Sequence, residues 1–150
     1  MQRRCQRGAQ IVEFTLALPF FVLMIFLIID FGFLVFNKAV LTNASREAAR
    51  YATGLTATTW STTAVEAVAC DYARTSLIST RSGTHTTTCG GSADPKIEVK
   101  NPNANNPPQF GDPITVEISY LYSGFLTSTT TFILGVDAWD ITTASTMNHE

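Results

Sequence analysis

Residues 7–51 read RGAQIVEFTLALPFFVLMIFLIIDFGFLVFNKAVLTNASREAARY, and the fold of the whole chain turns on this stretch. Within it, residues 14–36 form a run of 23 with a single charge, Asp30. The hydrocarbon core of a bilayer is about 30 Å thick and takes roughly 20 apolar residues as a helix, so the run is long enough to span. Ahead of it stand Arg3, Arg4 and Arg7, with no acid among the first eight residues. Positive charge on one flank holds that flank in the cytoplasm and sends the remainder of the chain across. The reading is a single-pass anchor with an exported domain: a basic leader at residues 1–8, a transmembrane helix at 9–36 and an extracytoplasmic domain at 37–150.

The helix is expected to continue beyond the membrane. Val40, Leu41, Ala44, Ala48, Tyr51 and Ala52 recur at helical spacing as one apolar face. The Ala-rich composition favours helix. Gly54 stands where a left-handed residue would end it, giving a rod of about 65 Å from Ala9 to Tyr51. Pro19 inside the run predicts a kink near residues 15–19, with Thr15 on hand to serve the freed carbonyl. Gly32 allows a second helix to come close, although no G-x-x-x-G pattern accompanies it. Asp30, about 24 Å along the helix from Phe14, reaches the outer headgroups or meets a partner helix. Asn43-Ala44-Ser45 matches a glycosylation triplet, which a helical setting makes a chance match.

Residues 55–61 read as a Thr/Ala/Ser linker before a second helix at 64–78. Thr63 and Glu66 have capping-box spacing there, and Ala64, Val65, Val68, Ala69 and Tyr72 form a core stripe. Residues 79–95 carry the Gly, Pro and Thr of a loop. The last third alternates: residues 96–100 with Ile97 and Val99 inward, residues 114–121, and residues 139–145. Residues 101–108 read as a turn region, and residues 123–132 as a loop or a short edge strand. Helices succeeded by strands indicate an α+β domain with an antiparallel sheet of three or four strands, its buried face on the helix from Val40 to Ala52.

Composition excludes several functions. The net charge is −2, and without the three leader arginines seven basic side chains face all twelve acids, so no nucleic-acid footprint is present. Cys5 falls in the leader, leaving Cys70 and Cys89 as an even pair in the exported domain. They are either a disulfide suited to an oxidising compartment or two reduced thiols. His85 lies in a Thr-rich loop and His149 at the C-terminus, with no nucleophile beside either. A zinc site from Cys70, Cys89 and His85 lacks a fourth ligand at useful spacing. No enzyme activity and no cofactor are expected.

After Gly8 come Ala9, a lone acid at Glu13, Phe14 and then the apolar helix. That order resembles the class III signal of type IV pilins, which a prepilin peptidase cuts after the Gly. The resemblance implies a mature chain beginning at Ala9 with Glu13 as its fifth residue. No A-x-A-like site lies beyond the apolar run, so the alternative to this cut is an uncleaved signal anchor. Glu13 itself has two readings: a solvated carboxylate in the headgroup layer, or a partner for the free amine of Ala9, its own or a neighbour's.

The match extends further. GAQIVEFTLALPFFVLMIFLIIDFG, LTNASREAARYA and the closing ITTASTMNHE resemble the TadE family, small pseudopilins of tight-adherence (Flp-type) pilus systems. The shared features are the G-x-x-x-x-E-F/Y leader, the L-P, an acid-Phe-Gly near the end of the span, the Asn-Ala-x-Arg-Glu-x-Ala-Arg helix and a Thr-Ala-x-x-Met tail. Asp30 stands where the family often has Glu, and Phe33 where a basic residue is common. The family implies a minor pilin or pseudopilin supporting pilus biogenesis, processed at Gly8–Ala9, with Glu13 and Phe14 serving assembly register. Its implied partners are the membrane, a prepilin peptidase, other pilins and the assembly machinery. Its implied place is the inner (cytoplasmic) membrane, with entry into the extracellular fibre left open. The alternative is an uncleaved, membrane-anchored extracytoplasmic binding module.

Overall fold

One helix, α1 (Gln6–Thr53), runs 48 residues, and its C-terminal half carries the second helix and two of the strands directly. The computed structural model describes residues 6–78, 89, 95–101, 107–124 and 138–149, with side chains from Gln10 onward. Cys5, His85, most of the loop read at 79–95, most of the turn at 101–108 and the uncertain stretch at 125–132 lie outside the described residues. From Gln10 to Thr53 the helix is long and apolar enough to cross a membrane. In its first half the large apolar side chains from Ile11 to Ile29 are exposed. The second half changes composition to Ala, Ser and Asn and buries Val40, Leu41, Ala44, Ala48, Ala49 and Ala52. Tyr51, expected on that face, is exposed, and Ala49, not expected there, is buried. The face is lined by alanines, so the neighbouring elements pack close to the α1 backbone, and a phenol ring is accommodated only at its margin.

The helix ends without the left-handed glycine expected at Gly54. Instead Gly54 N–H donates to the Tyr51 carbonyl at 3.2 Å and Leu55 N–H to that of Ala52 at 3.3 Å, a tightened last turn. Among the described glycines only Gly111 has a positive φ, +89°, in the turn before β2.

The second helix, α2 (Thr62–Ser76), starts two residues before the expected position. Its N-cap is Ser61, whose hydroxyl accepts from Ala64 N–H at 3.4 Å and contacts the Thr63 hydroxyl at 2.7 Å. Thr63, read as the cap, is inside the first turn. α2 returns along α1 and buries Val65, Ala69 and Ala73 against it. Its C-terminal end is clamped by Asn37, wholly buried on α1. The Asn37 amide donates to the Ile78 carbonyl at 2.8 Å and its oxygen accepts from Ile78 N–H at 2.9 Å. Cys70 and Cys89 form a disulfide across 19 residues. Closing a loop of that length contributes about 3 kcal/mol by restricting the unfolded chain.

Three strands form an antiparallel sheet in the order β1-β2-β3: β1 (Lys96–Lys100), β2 (Pro113–Tyr122) and β3 (Trp139–Asn148). The alternation in β2 holds for its whole length, with Ile114, Val116, Ile118, Tyr120 and Tyr122 buried. β2 and β3 lie against α1, and β1 against α2, so two helices cover one face of the sheet. Outward, Lys100 pairs with Glu117 across the strands, and the Thr115 and Thr146 hydroxyls meet at 2.8 Å.

The strands run along α1. β2 enters beside the outer end of α1, where the His149 ring makes a 2.8 Å hydrogen bond to the Leu55 carbonyl and packs edge-on to Trp60 with ring centres 6.4 Å apart. It leaves beside the middle of α1, where Tyr122 reaches Asp30. His149, read from sequence only as a terminal residue with no nucleophile beside it, is thus the fastener between β3 and the end of α1.

Candidate functional site

The chemistry of this chain is concentrated at the two ends of the bare section of α1. At the inner end, Gly8 and Ala9 lie inside the helix, which begins at Gln6. Glu13 comes one turn after Ala9 and is exposed, with Ile11, Val12, Phe14 and Leu16 exposed around it. A residue four positions on stands about 6 Å further along the axis on nearly the same face, so Glu13 is within reach of the Ala9 nitrogen. Phe14 projects to the side, exposed.

The helix runs unbroken through Pro19. Proline has no N–H, so the Thr15 carbonyl loses its usual helical donor. The Thr15 hydroxyl does not serve that carbonyl: it donates one turn back, to Ile11 at 2.8 Å, a back-bond that tends to bend helices. At Gly32 an added Cβ would meet nothing within 4 Å, so that face of the helix is open.

At the outer end Asp30 is engaged by the chain's own domain, a contact beyond the two expected for it. The Tyr122 hydroxyl stands 3.3 Å from Asp30 Oδ1 and 3.4 Å from the Asp30 carbonyl, a donor shared between two acceptors. Gly124 lies directly against the carboxylate, where a Cβ would sit 2.6 Å from Oδ1. The absence of a side chain at 124 is what lets the end of β2 close onto the helix. Phe33 and Leu34, one turn on, pack against the domain core. Asp30 is therefore the level at which the domain takes hold of the rod.

Burial of the phenol, with the Asp30 carboxylate second, pushes the Tyr122 pKa up to about 12. The folded protein thus favours the neutral phenol. Stability from this group is complete below pH ~10, the unfolded value, and is lost as pH rises through about 12. Spectrophotometric titration of the full chain in micelles is expected to show one phenol ionising near pH 12. In Asp30→Asn the midpoint should fall while burial keeps it above the ordinary value. An unchanged midpoint in that variant would show that the carboxylate does not face the ring.

Cys70 and Cys89 are spent on each other and closed to a metal. Among the described residues no group of three or more His, Cys, Asp or Glu side chains gathers as ligands. The two positions that sequence reasoning missed are Asn37 and Tyr122. The only signal for Asn37 is a polar residue directly after the apolar run, which also reads as a membrane flank. Tyr122 gives the signal of any inward strand residue.

No curated protein and no solved structure matches the chain. A family model does: that of the TadE-like proteins, over residues 8–50, which are the bare section of α1 and the helical spine of the domain. Over that segment, a little under a third of the chain, the protein is similar to the TadE-like family.

Proposed function

We propose that the chain is a minor pilin or pseudopilin supporting assembly of a tight-adherence type IV pilus. A prepilin peptidase cuts it after Gly8, so that the mature protein begins at Ala9. The observation that carries this reading is Glu13, a lone exposed carboxylate on an otherwise apolar, uncovered helix, one turn from Ala9. A carboxylate costs about 2.5–3.5 kcal/mol at the centre of a membrane helix and less near the interface. An amine freed at Ala9 offsets that cost by pairing with it. The TadE-like match over residues 8–50 begins at Gly8 and supports the same reading.

The work is done in two steps. Before assembly the protein sits in the inner membrane with its N-terminus inside and its domain outside. On assembly the helices leave lipid for one another, a bend at Pro19 adjusts their packing, and the pairing of Glu13 with an Ala9 amine sets axial register. Phe14, beside the carboxylate, packs against the neighbouring helix. The partners are the membrane, the peptidase, other pilins and the assembly machinery. The chain itself is not an enzyme and binds neither cofactor nor nucleic acid.

One observation favours a second reading, an uncut membrane anchor presenting a binding module. α1 passes through Gly8 and Ala9 without a break, whereas cleavage needs that turn opened. The opening is cheap, because the first four N–H groups of a helix have no partner within it. Gly8→Val tests the point. The variant should remain in the membrane fraction eight residues longer than the mature wild-type protein, as should the wild-type chain in cells lacking the peptidase. Equal lengths for wild type and variant in piliated cells would favour the anchor.

A further inference from the structure

We propose that the lower rim of the sheet, with Trp139 and Leu121 at its lip, rests in the outer headgroup layer of the bilayer that α1 spans. This rests on the membrane reading above and adds to it a second lipid contact, made by the exported domain itself.

The level of the rim is set by three contacts. Tyr122 ends β2 and its hydroxyl meets Asp30. Trp139 is the partner of Tyr122 in the ladder, and Asp140 that of Leu121, so the start of β3 stands at the same height. The uncovered stretch from Gln10 to Ile29 is 20 residues, about 30 Å of helix, the thickness of a hydrocarbon core. The bilayer surface therefore falls at Asp30. On the side of α1 away from the domain the apolar character continues past it, with Phe31, Val35 and Phe36 exposed. The rim thus shares its height with helix residues that only lipid or interface can cover.

The rim has the composition for it. Trp139 belongs by alternation to the helix-facing set with Ile141 and Thr143, which are buried, yet it is 51% exposed. Leu121, on the opposite face, is 56% exposed. An indole at the edge of an apolar span is the usual occupant of the membrane interface, where its ring is shielded and its N–H stays wet. No comparable demand arises for Trp60, the second tryptophan. It packs beside His149 near Leu55, about 37 Å further along α1 than Asp30.

That pair makes the test. The full chain is reconstituted at no more than one copy per vesicle, in phosphatidylcholine brominated near the top of the acyl chains. Flotation and resistance to an alkaline wash first establish insertion. In Trp60→Phe the remaining Trp139 emission is expected to fall about twofold relative to unbrominated vesicles, as for an interfacial indole. In Trp139→Phe the Trp60 emission should not change. If Trp60→Phe does not fold, fluorotryptophan in the unmodified chain with a paramagnetic headgroup lipid reads both sites, the Trp139 signal broadening and the Trp60 signal not. A chain that fails to float defeats the membrane reading itself. A chain that floats with Trp139 unquenched overturns the rim contact alone, as does Trp139 shielding that appears only when several copies share a vesicle, which would assign the rim to a second copy.

Discussion

Glu13→Ala is expected to give a protein that folds, inserts and is cut normally, in cells that make few or no pili. The domain does not depend on this side chain. Glu13 stands about 26 Å along α1 from Asp30, where the domain first touches the helix, and the helix between them is bare. Alanine is also the best helix former, so α1 itself is not weakened. In lipid the substitution removes a desolvation cost, and membrane retention should rise slightly if it changes at all. The loss falls on assembly, where the carboxylate is the only side chain on the inner half of the span able to pair with an Ala9 amine. Glu13→Gln separates charge from size: it fills the same volume and should fail almost as badly. Pilus counts by electron microscopy, with non-reducing gels to confirm the Cys70–Cys89 link, read both parts. Normal piliation in Glu13→Ala would remove the register role.

The second large effect is on stability. Asn37→Ala is expected to destabilise the exported domain by about 2 kcal/mol, because it removes the partner of both the N–H and the carbonyl of Ile78 at a part-buried site. Each stranded group costs about 1–3 kcal/mol. Those two bonds hold the end of α2 to α1. Asn37→Asp is the instructive control: it keeps the acceptor for the Ile78 N–H but sets a carboxylate oxygen against the Ile78 carbonyl. It should be no better than alanine. Denaturant unfolding in micelles, tracked by far-ultraviolet circular dichroism, measures both. A change of under about 1 kcal/mol for Asn37→Ala would mean that water reaches the site.

Much of this architecture can be read from local pattern, and the exceptions have physical causes. The length of α1 is legible because 23 nearly uncharged residues are enough for a membrane-crossing helix and Val40, Leu41, Ala44, Ala48 and Ala52 continue it at helical spacing. β2 is legible because Ile114, Val116, Ile118 and Tyr120 keep a period of two, and their burial matches it. The start of α2 lies two residues from its expected place because several hydroxyl-bearing residues precede Ala64, among them Thr59, Ser61, Thr62 and Thr63, and composition alone does not say which one caps. Tyr51 and Ala49 depart from expectation because a 3.6-residue period puts them on opposite margins of the stripe, where pattern alone does not decide burial. The choice then depends on how closely the neighbouring elements approach, and alanines allow them in. Asp30 is the deepest case. Its partner is 92 residues away in the chain, so sequence supplies only its place along the rod and misses the domain waiting there.

The most direct measurement is the N-terminal sequence of the protein extracted from membranes of piliated cells. It should open at Ala9 and continue Gln10, Ile11, Val12, Glu13. A chain that opens at Met1 or Gln2 and still carries Gly8 would contradict the pilin reading and leave a tethered outer domain in its place.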